Sequence, residues 1–268
     1  MINLTKEEIA EGEIHMTKNL FDLTGKVAAI TGATRGIGRS MAMALAEAGA
    51  DIALLQRNPE QTDVKEEIEQ LGRKCSIIPC DLEKVEEVKS AIPSVISIFG
   101  KIDILVNNAG IQRRSPSVDF PESDWDDVLN INLKVVWLLC QEAGRHMVAK
   151  GEGKIINTAS LLSYQGGLTV PAYAASKGGV AQLTKALSNE WAKEGINVNA
   201  IVPGYIATDM NTALINDPIR SKQILDRIPA DRWGEPDDFR GTVVYLASGA
   251  SNYVHGHLVA VDGGWLGR

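Results

Sequence analysis

Short apolar runs and longer amphipathic runs alternate along nearly the whole chain, and no other feature constrains its fold as strongly. Seven apolar runs have the length of a strand, at residues 27–31, 51–55, 76–78, 102–106, 154–158, 196–202 and 257–261. Strands that alternate with helices predict a parallel sheet covered by helices on both faces. Right-handed crossovers make such a sheet doubly wound. We therefore predict an α/β fold built on a parallel sheet of about seven strands.

The stretches between these runs predict helices. Helical periodicity occurs at residues 39–48, 61–71, 85–99, 123–149, 173–194, 218–227 and 236–248. No linker, low-complexity tract or internal repeat divides the series, so we predict a single domain over residues 25–268. Residues 1–24 lack this pattern and are predicted to form an N-terminal arm. A capping-box pattern that begins at Thr5 predicts a short helix within the arm.

A glycine-rich turn joins the first predicted strand to the first predicted helix. Its glycines, Gly32, Gly36 and Gly38, have GxxxGxG spacing and not the GxGxxG spacing of the commonest dinucleotide fingerprint. Glycines let the backbone approach a pyrophosphate, and a helix N-terminus offers unpaired N–H groups and a positive dipole end. A flexible loop is the alternative. The strand and helix on either side favour a phosphate site in a Rossmann-type sheet.

Composition argues against several classes of protein. The 268-residue chain has a net charge of −7 and no basic cluster, which argues against nucleic acid as a partner. No apolar run approaches the roughly 18 residues of a membrane span. The three cysteines (Cys75, Cys80 and Cys140) lack CxxC spacing, which indicates a reducing compartment and neither disulfides nor a metal site. The cytoplasm is the expected location.

A tyrosine and a lysine four residues apart, Tyr173 and Lys177, open one predicted helix. This spacing places both side chains on one helix face. A free phenol has a pKa of about 10, and a fixed positive charge nearby lowers that pKa. The pair can therefore exchange protons near neutral pH. The alternative is a solvated surface pair, which is common on helices.

Residues capable of binding or catalysis follow several predicted strands. They are Gly32, Asp81, Asn108, Ser160 and Pro203. Each type also has an ordinary structural role in turns, caps and loops. Ligands of doubly wound sheets bind outside the carboxyl ends of the strands. The position of these residues at that one edge therefore favours a binding site.

The complete set of motifs resembles the short-chain dehydrogenase/reductase family over residues 23–268. The matching motifs are TGATRGIG (31–38), CDL (80–82), NNAG (107–110), the Asn of NINL (Asn132), the Ser of NTAS (Ser160), YAASK (173–177) and PGYIAT (203–208). Ser160 lies thirteen residues and Asn132 forty-one residues before Tyr173, as the family pattern requires. The resemblance implies an NAD(P)-dependent oxidoreductase that transfers a hydride between a nicotinamide and a secondary alcohol or ketone.

The resemblance also implies a role for each member of a catalytic group. Tyr173 exchanges a proton with the substrate, and Ser160 hydrogen-bonds the reacting oxygen. Lys177 holds the nicotinamide ribose and lowers the pKa of the tyrosine. Asn132 supports a water-linked proton path to the lysine.

The implied dinucleotide site extends along the carboxyl edge of the sheet. It comprises Gly32, Thr34, Arg35, Gly36, Ile37, Gly38, Gln56, Arg57, Asp81, Leu82, Asn108, Ala109, Gly110, Tyr173, Lys177, Pro203, Gly204, Ile206 and Thr208. Members that prefer NAD usually carry an acidic residue where this chain has Gln56. Arg57 and Arg35 are two cations that can pair with a 2′-phosphate. The choice between NADP and NAD stays open, with NADP slightly favoured.

The likeness is strongest to family members that act on deoxy sugar acids. It is carried by IQRR (111–114), SLLSYQGGLTVPAYAASK (160–177), NEWAKEGINVNAIVPGY (189–205), ILDRIPADRW (224–233) and VDGGWLGR (261–268). Arg113 or Arg114 is the expected partner of the acid group, because a guanidinium binds a carboxylate bidentately. A surface arginine pair is the alternative.

Two other functions stay open besides activity on deoxy sugar acids. One is a carbonyl or 3-ketoacyl reductase of the same family, and the other is a dinucleotide-sensing protein without catalysis. The presence of all four catalytic residues disfavours the second. The resemblance also implies a homotetramer, with apolar faces of the Tyr173 helix and of the preceding long helix in the subunit contacts.

Overall fold

The structure, a computed structural model, describes residues 19–268, which fold into a parallel sheet covered on both faces by helices. The strands are β1 (Val27–Thr31), β2 (Asp51–Gln56), β3 (Cys75–Pro79), β4 (Ile104–Asn107), β5 (Gly153–Thr158), β6 (Ile196–Pro203) and β7 (Leu258–Val261). Their order across the seven-stranded sheet is β3-β2-β1-β4-β5-β6-β7, and every neighbouring pair is parallel. The predicted doubly wound α/β fold is confirmed.

Nine α-helices of four or more residues accompany the strands in this part of the chain. They are α1 (Gly36–Glu47), α2 (Asp63–Gln70), α3 (Val85–Phe99), α4 (Glu122–Leu129), α5 (Val135–Lys150), α6 (Pro171–Trp191), α7 (Thr212–Ile215), α8 (Pro218–Leu225) and α9 (Arg240–Ala247). Helices α1, α2 and α9 pack on one sheet face, where Leu45, Ile68 and Val243 are buried. Helices α3, α5 and α6 cover the other face.

The strand order places a reversal at the centre of the sheet. Strand β1 pairs with β2 on one side and with β4 on the other, so that Ile30 is in register with both Leu54 and Val106. The crossovers therefore diverge between β1 and β4, and a crevice opens at the carboxyl ends of these two strands. The glycine turn follows β1 and the NNAG segment follows β4, so the fold brings both to this crevice.

The long helix predicted over residues 123–149 is interrupted. It consists of α4, a π-helical turn at Asn130–Lys134, and α5. A π turn adds a residue to the helical repeat and shifts the side chains that follow it, and such turns are frequent at functional sites. Asn132 lies within this turn and is fully buried.

Other boundaries differ from the predictions by local effects. Helix α1 begins at Gly36, inside the glycine turn, and α6 begins at Pro171, which occupies the first helical position. The final predicted helix is divided into a 3₁₀ turn at Pro236–Phe239 and α9. Helix α3 continues through Pro93.

The first described residues contact the domain. Leu23 is buried, and its backbone N–H donates to the Ala48 carbonyl oxygen at 2.8 Å. The helix predicted from Thr5 lies outside the described residues, and the arm over residues 1–24 stays a prediction. Among residues 19–268, no helix combines the length and apolar character needed to cross a membrane.

Candidate active site

The glycine turn after β1 packs too closely for larger side chains. A Cβ on Gly38 would overlap the Gly32 carbonyl oxygen and the Asn108 side-chain amide, and Gly32 itself has a φ of 66°. The Asn108 Nδ2 donates to the Gly32 carbonyl oxygen at 3.1 Å and to the Thr31 carbonyl oxygen at 3.2 Å. The Thr31 Oγ1 accepts from the backbone N–H of Ala109 at 3.0 Å. The two central loops are therefore held against each other.

The N-terminus of α1 is free of side-chain caps. Arg35 occupies the N-cap position but makes no capping hydrogen bond, and Gly36 has a φ of 54°. Uncapped N–H groups and a positive dipole end suit a pyrophosphate. Thr34 and Ile37 are half-buried in the same turn. The guanidinium of Arg35 contacts Asp209 at 3.0 Å, across the crevice.

The segment after β6 approaches this turn from the other side. A Cβ on Gly36 would lie 3.6 Å from the Thr208 Cγ2. A Cβ on Gly204 would lie 2.5 Å from the Asp262 Cα, so only glycine fits after Pro203. Ile206 is buried.

The ends of β2 and β3 form the far side of the crevice. Gln56 is buried, and its Nε2 donates to the carbonyl oxygens of Asn58 at 2.7 Å and Gln61 at 2.9 Å. The amide therefore supports the loop after β2, while Arg57 is exposed.

Asp81 follows β3 and accepts the backbone N–H of Glu83 through its side chain at 3.1 Å. Leu82 packs against the hydrophobic core. Asp81 and Leu82, which the sequence analysis places in the dinucleotide site, thus also have structural roles just before α3.

Lys177 lies at the base of the crevice. Its side chain is buried, and its Nζ donates to the Thr158 carbonyl oxygen at the end of β5 at 2.6 Å. A Cβ on Gly110 would lie 3.7 Å from that Nζ, so the NNAG segment reaches the lysine. Burial lowers the pKa of Lys177 to about 8. The amine is therefore mostly protonated at neutral pH.

Tyr173 lies one turn before Lys177 on α6, with the lysine Nζ 5.7 Å from the ring centroid. Burial raises the pKa of Tyr173 above its usual value, while the Ser160 hydrogen bond and the charge of Arg114 act to lower it. In this state the phenol holds its proton at neutral pH.

Ser160 begins the loop that leads from β5 to α6. Its Oγ accepts from the backbone N–H of Leu162 at 3.2 Å. Ser163 completes a capping box by receiving the Ser160 N–H, and it donates to the Lys177 carbonyl oxygen at 2.7 Å. The turn that carries the Ser160 hydroxyl is therefore tied to α6, the helix that carries Tyr173.

Asn132 connects the π turn to the segment after β4. Its Oδ1 accepts from the backbone N–H of Ile111 at 2.8 Å, and its Nδ2 donates to the Ile111 carbonyl oxygen at 2.9 Å. The Nδ2 also lies 3.3 Å from the Ser176 Oγ on α6. Asn132 thus positions the loop that carries Gly110 beside the lysine.

The two arginines after this loop have different surroundings. Arg113 lies 3.6 Å from Asp124 and 3.9 Å from Asp127, both on α4. Arg114 contacts Gln112 at 3.1 Å, and its charge acts on Tyr173. Of the two, Arg114 is the one whose charge acts to lower the pKa of Tyr173.

Comparison with known proteins agrees with this geometry. A family model of the short-chain type, described as enoyl-(acyl carrier protein) reductase, matches residues 32–266. The 2-dehydro-3-deoxy-D-gluconate 5-dehydrogenase of Escherichia coli (strain K12) is 50% identical over 254 residues, which cover 94% of this chain and 100% of the relative. The enzyme of the same name from Bacillus subtilis (strain 168) is 52% identical over 248 residues, 92% of this chain and 97% of the relative.

This chain belongs to the short-chain dehydrogenase/reductase family.

Two solved members of the family have the same architecture. A gluconate 5-dehydrogenase from Burkholderia cenocepacia J2315, in complex with NADP and tartrate, has a TM-score of 0.89 and 41% identity, covering 93% of this chain and 98% of that one. A candidate 2-deoxy-D-gluconate 3-dehydrogenase from Agrobacterium tumefaciens, with bound NADP, has a TM-score of 0.88 and 48% identity over 94% of this chain and 100% of that one. The chain is thus an NAD(P)-dependent oxidoreductase of this family.

The crevice of this short-chain dehydrogenase/reductase fits a nicotinamide dinucleotide. The absence of a Cβ at Gly38 lets the start of α1 pack directly against Gly32 and Asn108, and the uncapped start of α1 points N–H groups at the crevice. Thr158, whose carbonyl oxygen accepts from Lys177, also has a buried Oγ1 with no hydrogen-bond partner in the described chain. Such an unpartnered polar atom is consistent with a polar group of a bound molecule.

The sequence prediction missed residues that position this family's catalytic group. Ser163 and the Thr158 carbonyl oxygen hold Lys177 and its helix, and Ser176 contacts Asn132. The spacing of Ser160 and Ser163 was a detectable sign, because a capping residue and its reciprocal partner lie three residues apart. The carbonyl contact has no sign in the sequence, since every residue has a carbonyl.

Replacement of Gly38 by alanine tests the phosphate turn. The new Cβ overlaps backbone and amide atoms, so the turn must shift at a cost of about 1–3 kcal/mol. We expect the dissociation constant for NADPH, measured by fluorescence titration, to rise roughly 5- to 160-fold. Gly241→Ala on α9 is the matched control, because nothing lies within 4 Å of its Cβ, and it should bind NADPH as the wild type does. Equal affinity of both variants would contradict the assignment.

Proposed function

We propose that the protein interconverts a secondary alcohol and a ketone of a deoxy sugar acid, of the 2-dehydro-3-deoxy-D-gluconate or 2-deoxy-D-gluconate type. The observation that carries this proposal is the near-full-length similarity, at 50% and 52% identity, to 2-dehydro-3-deoxy-D-gluconate 5-dehydrogenases. The site geometry supports it, because Tyr173 contacts Ser160 and Lys177 and the charge of Arg114 acts on the phenol.

In this mechanism Tyr173 moves the proton. In reduction the phenol O–H donates to the oxygen of the substrate, and in oxidation the phenolate accepts the hydroxyl proton. A bound nicotinamide supplies or accepts the hydride. Ser160 donates to the same substrate oxygen and orients it. The protonated Lys177 favours the phenolate through its charge, and its carbonyl partner keeps the ammonium in place.

Asn132 acts in two ways in this proposal. It holds both backbone groups of Ile111, which keeps the NNAG loop against the lysine. It also supports a water-linked proton path to Lys177, because its amide lies in the buried space between the π turn and α6. The path renews the proton of the tyrosine after each turnover.

We propose NADP over NAD as the dinucleotide. No carboxylate occupies the end of β2, where Gln56 is engaged with its own loop, so a 2′-phosphate meets no repulsion there. Arg57 is exposed and can pair with that phosphate. Arg35 supplies a second charge once it leaves Asp209.

We also propose a homotetramer located in the cytoplasm. An apolar groove is open on the outer side of α4, α5 and α6, and Trp137 in it is 40% exposed. Leu129, Leu133 and Leu183 line the same groove. A second copy of the chain can cover this surface. The three cysteines among residues 19–268 are free and buried, which supports a reducing compartment.

A substrate panel with purified protein tests the function. Sugar acids, 3-ketoacyl thioesters and small ketones or alcohols are offered with NADP(H) and NAD(H), and nicotinamide absorbance is followed in both directions. We expect the sugar acids to give the highest kcat/KM. Preferential turnover of acyl thioesters would replace the proposal by the 3-ketoacyl reductase alternative.

The variant Tyr173→Phe tests the proton transfer. General acid–base catalysis contributes about 10²–10⁴-fold, so kcat should fall by that factor while NADPH binding is retained. The raised pKa of Tyr173 keeps the phenol protonated near neutral pH. In the wild type, the rate of oxidation should therefore rise as the pH increases above neutral, because oxidation needs the phenolate. The rate of reduction should fall over the same pH range, because reduction needs the protonated phenol. Intact turnover in the Phe variant would contradict the mechanism.

The arginine pair provides a matched test of the carboxylate site. The charge of Arg114 acts on Tyr173, whereas Arg113 is held near Asp124 and Asp127, so Arg114→Ala should raise KM for a sugar acid about tenfold or more. A neutral analogue should show no such change. Arg113→Ala is the control and should leave both KM values near the wild type. Equal effects of Arg114→Ala on acidic and neutral substrates would refute the assignment.

Dinucleotide preference is tested with Arg57→Ala. Loss of a charge-assisted hydrogen bond costs about 1.5–3 kcal/mol, so kcat/KM with NADP should fall at least tenfold and that with NAD should stay constant. Steady-state kinetics with each dinucleotide measures both. An unchanged NADP preference would remove Arg57 from the site.

A further inference from the structure

Trp265, four residues from the C-terminus, contacts three segments of the chain at once. Its ring is buried and lies 4.6 Å from the Tyr205 ring, centroid to centroid. The guanidinium carbon of Arg227 lies 4.0 Å from the Trp265 ring centroid. The indole Nε1 donates to the Gln165 Oε1 at 3.1 Å.

One of these segments begins at Ser160, because the Gln165 backbone N–H donates to the Leu161 carbonyl oxygen at 3.0 Å in the turn that Ser160 opens. Gln165 belongs to the loop between Ser160 and Tyr173. Tyr205 follows β6, next to Ile206, which the sequence analysis places in the dinucleotide site. Arg227 lies in the flap, residues 207–233, whose base is closed by the pairing of Ile206 with Gly234. Trp265 therefore joins the catalytic loop to the base of the flap.

The contact determines the orientation of the Gln165 amide. An indole N–H is a donor only, so the amide oxygen must face it. The Gln165 Nε2 and its two hydrogens are consequently turned away from Trp265. Within residues 19–268 this nitrogen has no acceptor, and the side chain is half-buried. The amide thus presents only donors beside the catalytic loop.

We propose that Gln165 recognises an oxygen of the polyhydroxy acid substrate and that Trp265 is the positioning residue that aims it. The proposal rests on the proposed sugar-acid activity and deepens it. A donor pair matches hydroxyl and carboxylate oxygens, whereas an alkyl chain would leave both donors unpaired and desolvated. The contact therefore selects oxygen-rich substrates over simple ketones.

Two variants separate recognition from structure. Gln165→Met keeps the length of the side chain and removes both its acceptor and its donors. Gln165→Glu keeps an oxygen for the Trp265 indole but loses the donors and places a negative charge near the acid. We expect Gln165→Met to raise KM for 2-dehydro-3-deoxy-D-gluconate roughly 3- to 10-fold with little change in kcat. Gln165→Glu should raise it further.

Trp265→Phe tests the positioning role. It keeps a ring against Tyr205 and Arg227 and removes only the N–H. We expect a rise in KM similar to that of Gln165→Met, and the double variant should be no worse than Gln165→Met alone. Trp125→Phe on α4, partly exposed, is the control and should match the wild type.

Cyclohexanol has no oxygen beyond the reacting one, so its KM should rise less in each of the Gln165 and Trp265 variants than the KM for the sugar acid does. A wild-type KM in Gln165→Glu would show that Gln165 has a structural role only, and this result would overturn the proposal. Multiplicative losses in the double variant would overturn the positioning role. Absence of sugar-acid turnover in the wild type would instead refute the proposed function, so the two failures are distinguishable.

Discussion

The buried ammonium of Lys177 is the interaction on which the rest of the site depends. Burial of a charge costs free energy unless it is paired, yet no ion pair among residues 19–268 includes this lysine. Its fixed partner is the carbonyl oxygen of Thr158, a neutral dipole. A carboxylate in that place would neutralise the ammonium. The carbonyl holds the ammonium without cancelling its charge.

The surrounding fold serves to keep that charge in place. The carbonyl belongs to the end of β5, the lysine to α6, and the loop between them is tied back by Ser160 and Ser163. On the opposite side, Asn132 fixes Ile111 after β4. The π turn supplies the extra residue that turns Asn132 inward while α4 and α5 continue on either side. A regular helix of the same length would shift that side chain around the helix axis.

Much of this arrangement was predictable, and the reasons are local. The central strands β1, β4 and β6 are buried on both faces, so each produces a short apolar run, and glycine spacing marks the turn after β1. The π turn has no sequence mark, because Asn130–Lys134 fits an ordinary helix as well. The different surroundings of Arg113 and Arg114 were not predictable, because they depend on the path of the backbone in one loop. The contact of Trp265 with Gln165 spans 100 residues, so only the assembled fold reveals it.

The electrostatics of Tyr173 connect substrate binding to proton transfer. Burial raises the pKa of the phenol, and the Ser160 hydrogen bond and the charge of Arg114 oppose that rise. A carboxylate that pairs with Arg114 screens its charge, so the phenol holds its proton more strongly when an acid is bound. A neutral substrate leaves that charge unscreened. If Arg114 binds the acid group as proposed, the same guanidinium also adjusts the proton affinity of Tyr173, and a bound sugar acid meets a weaker proton donor in reduction and a stronger base in oxidation than a neutral substrate does.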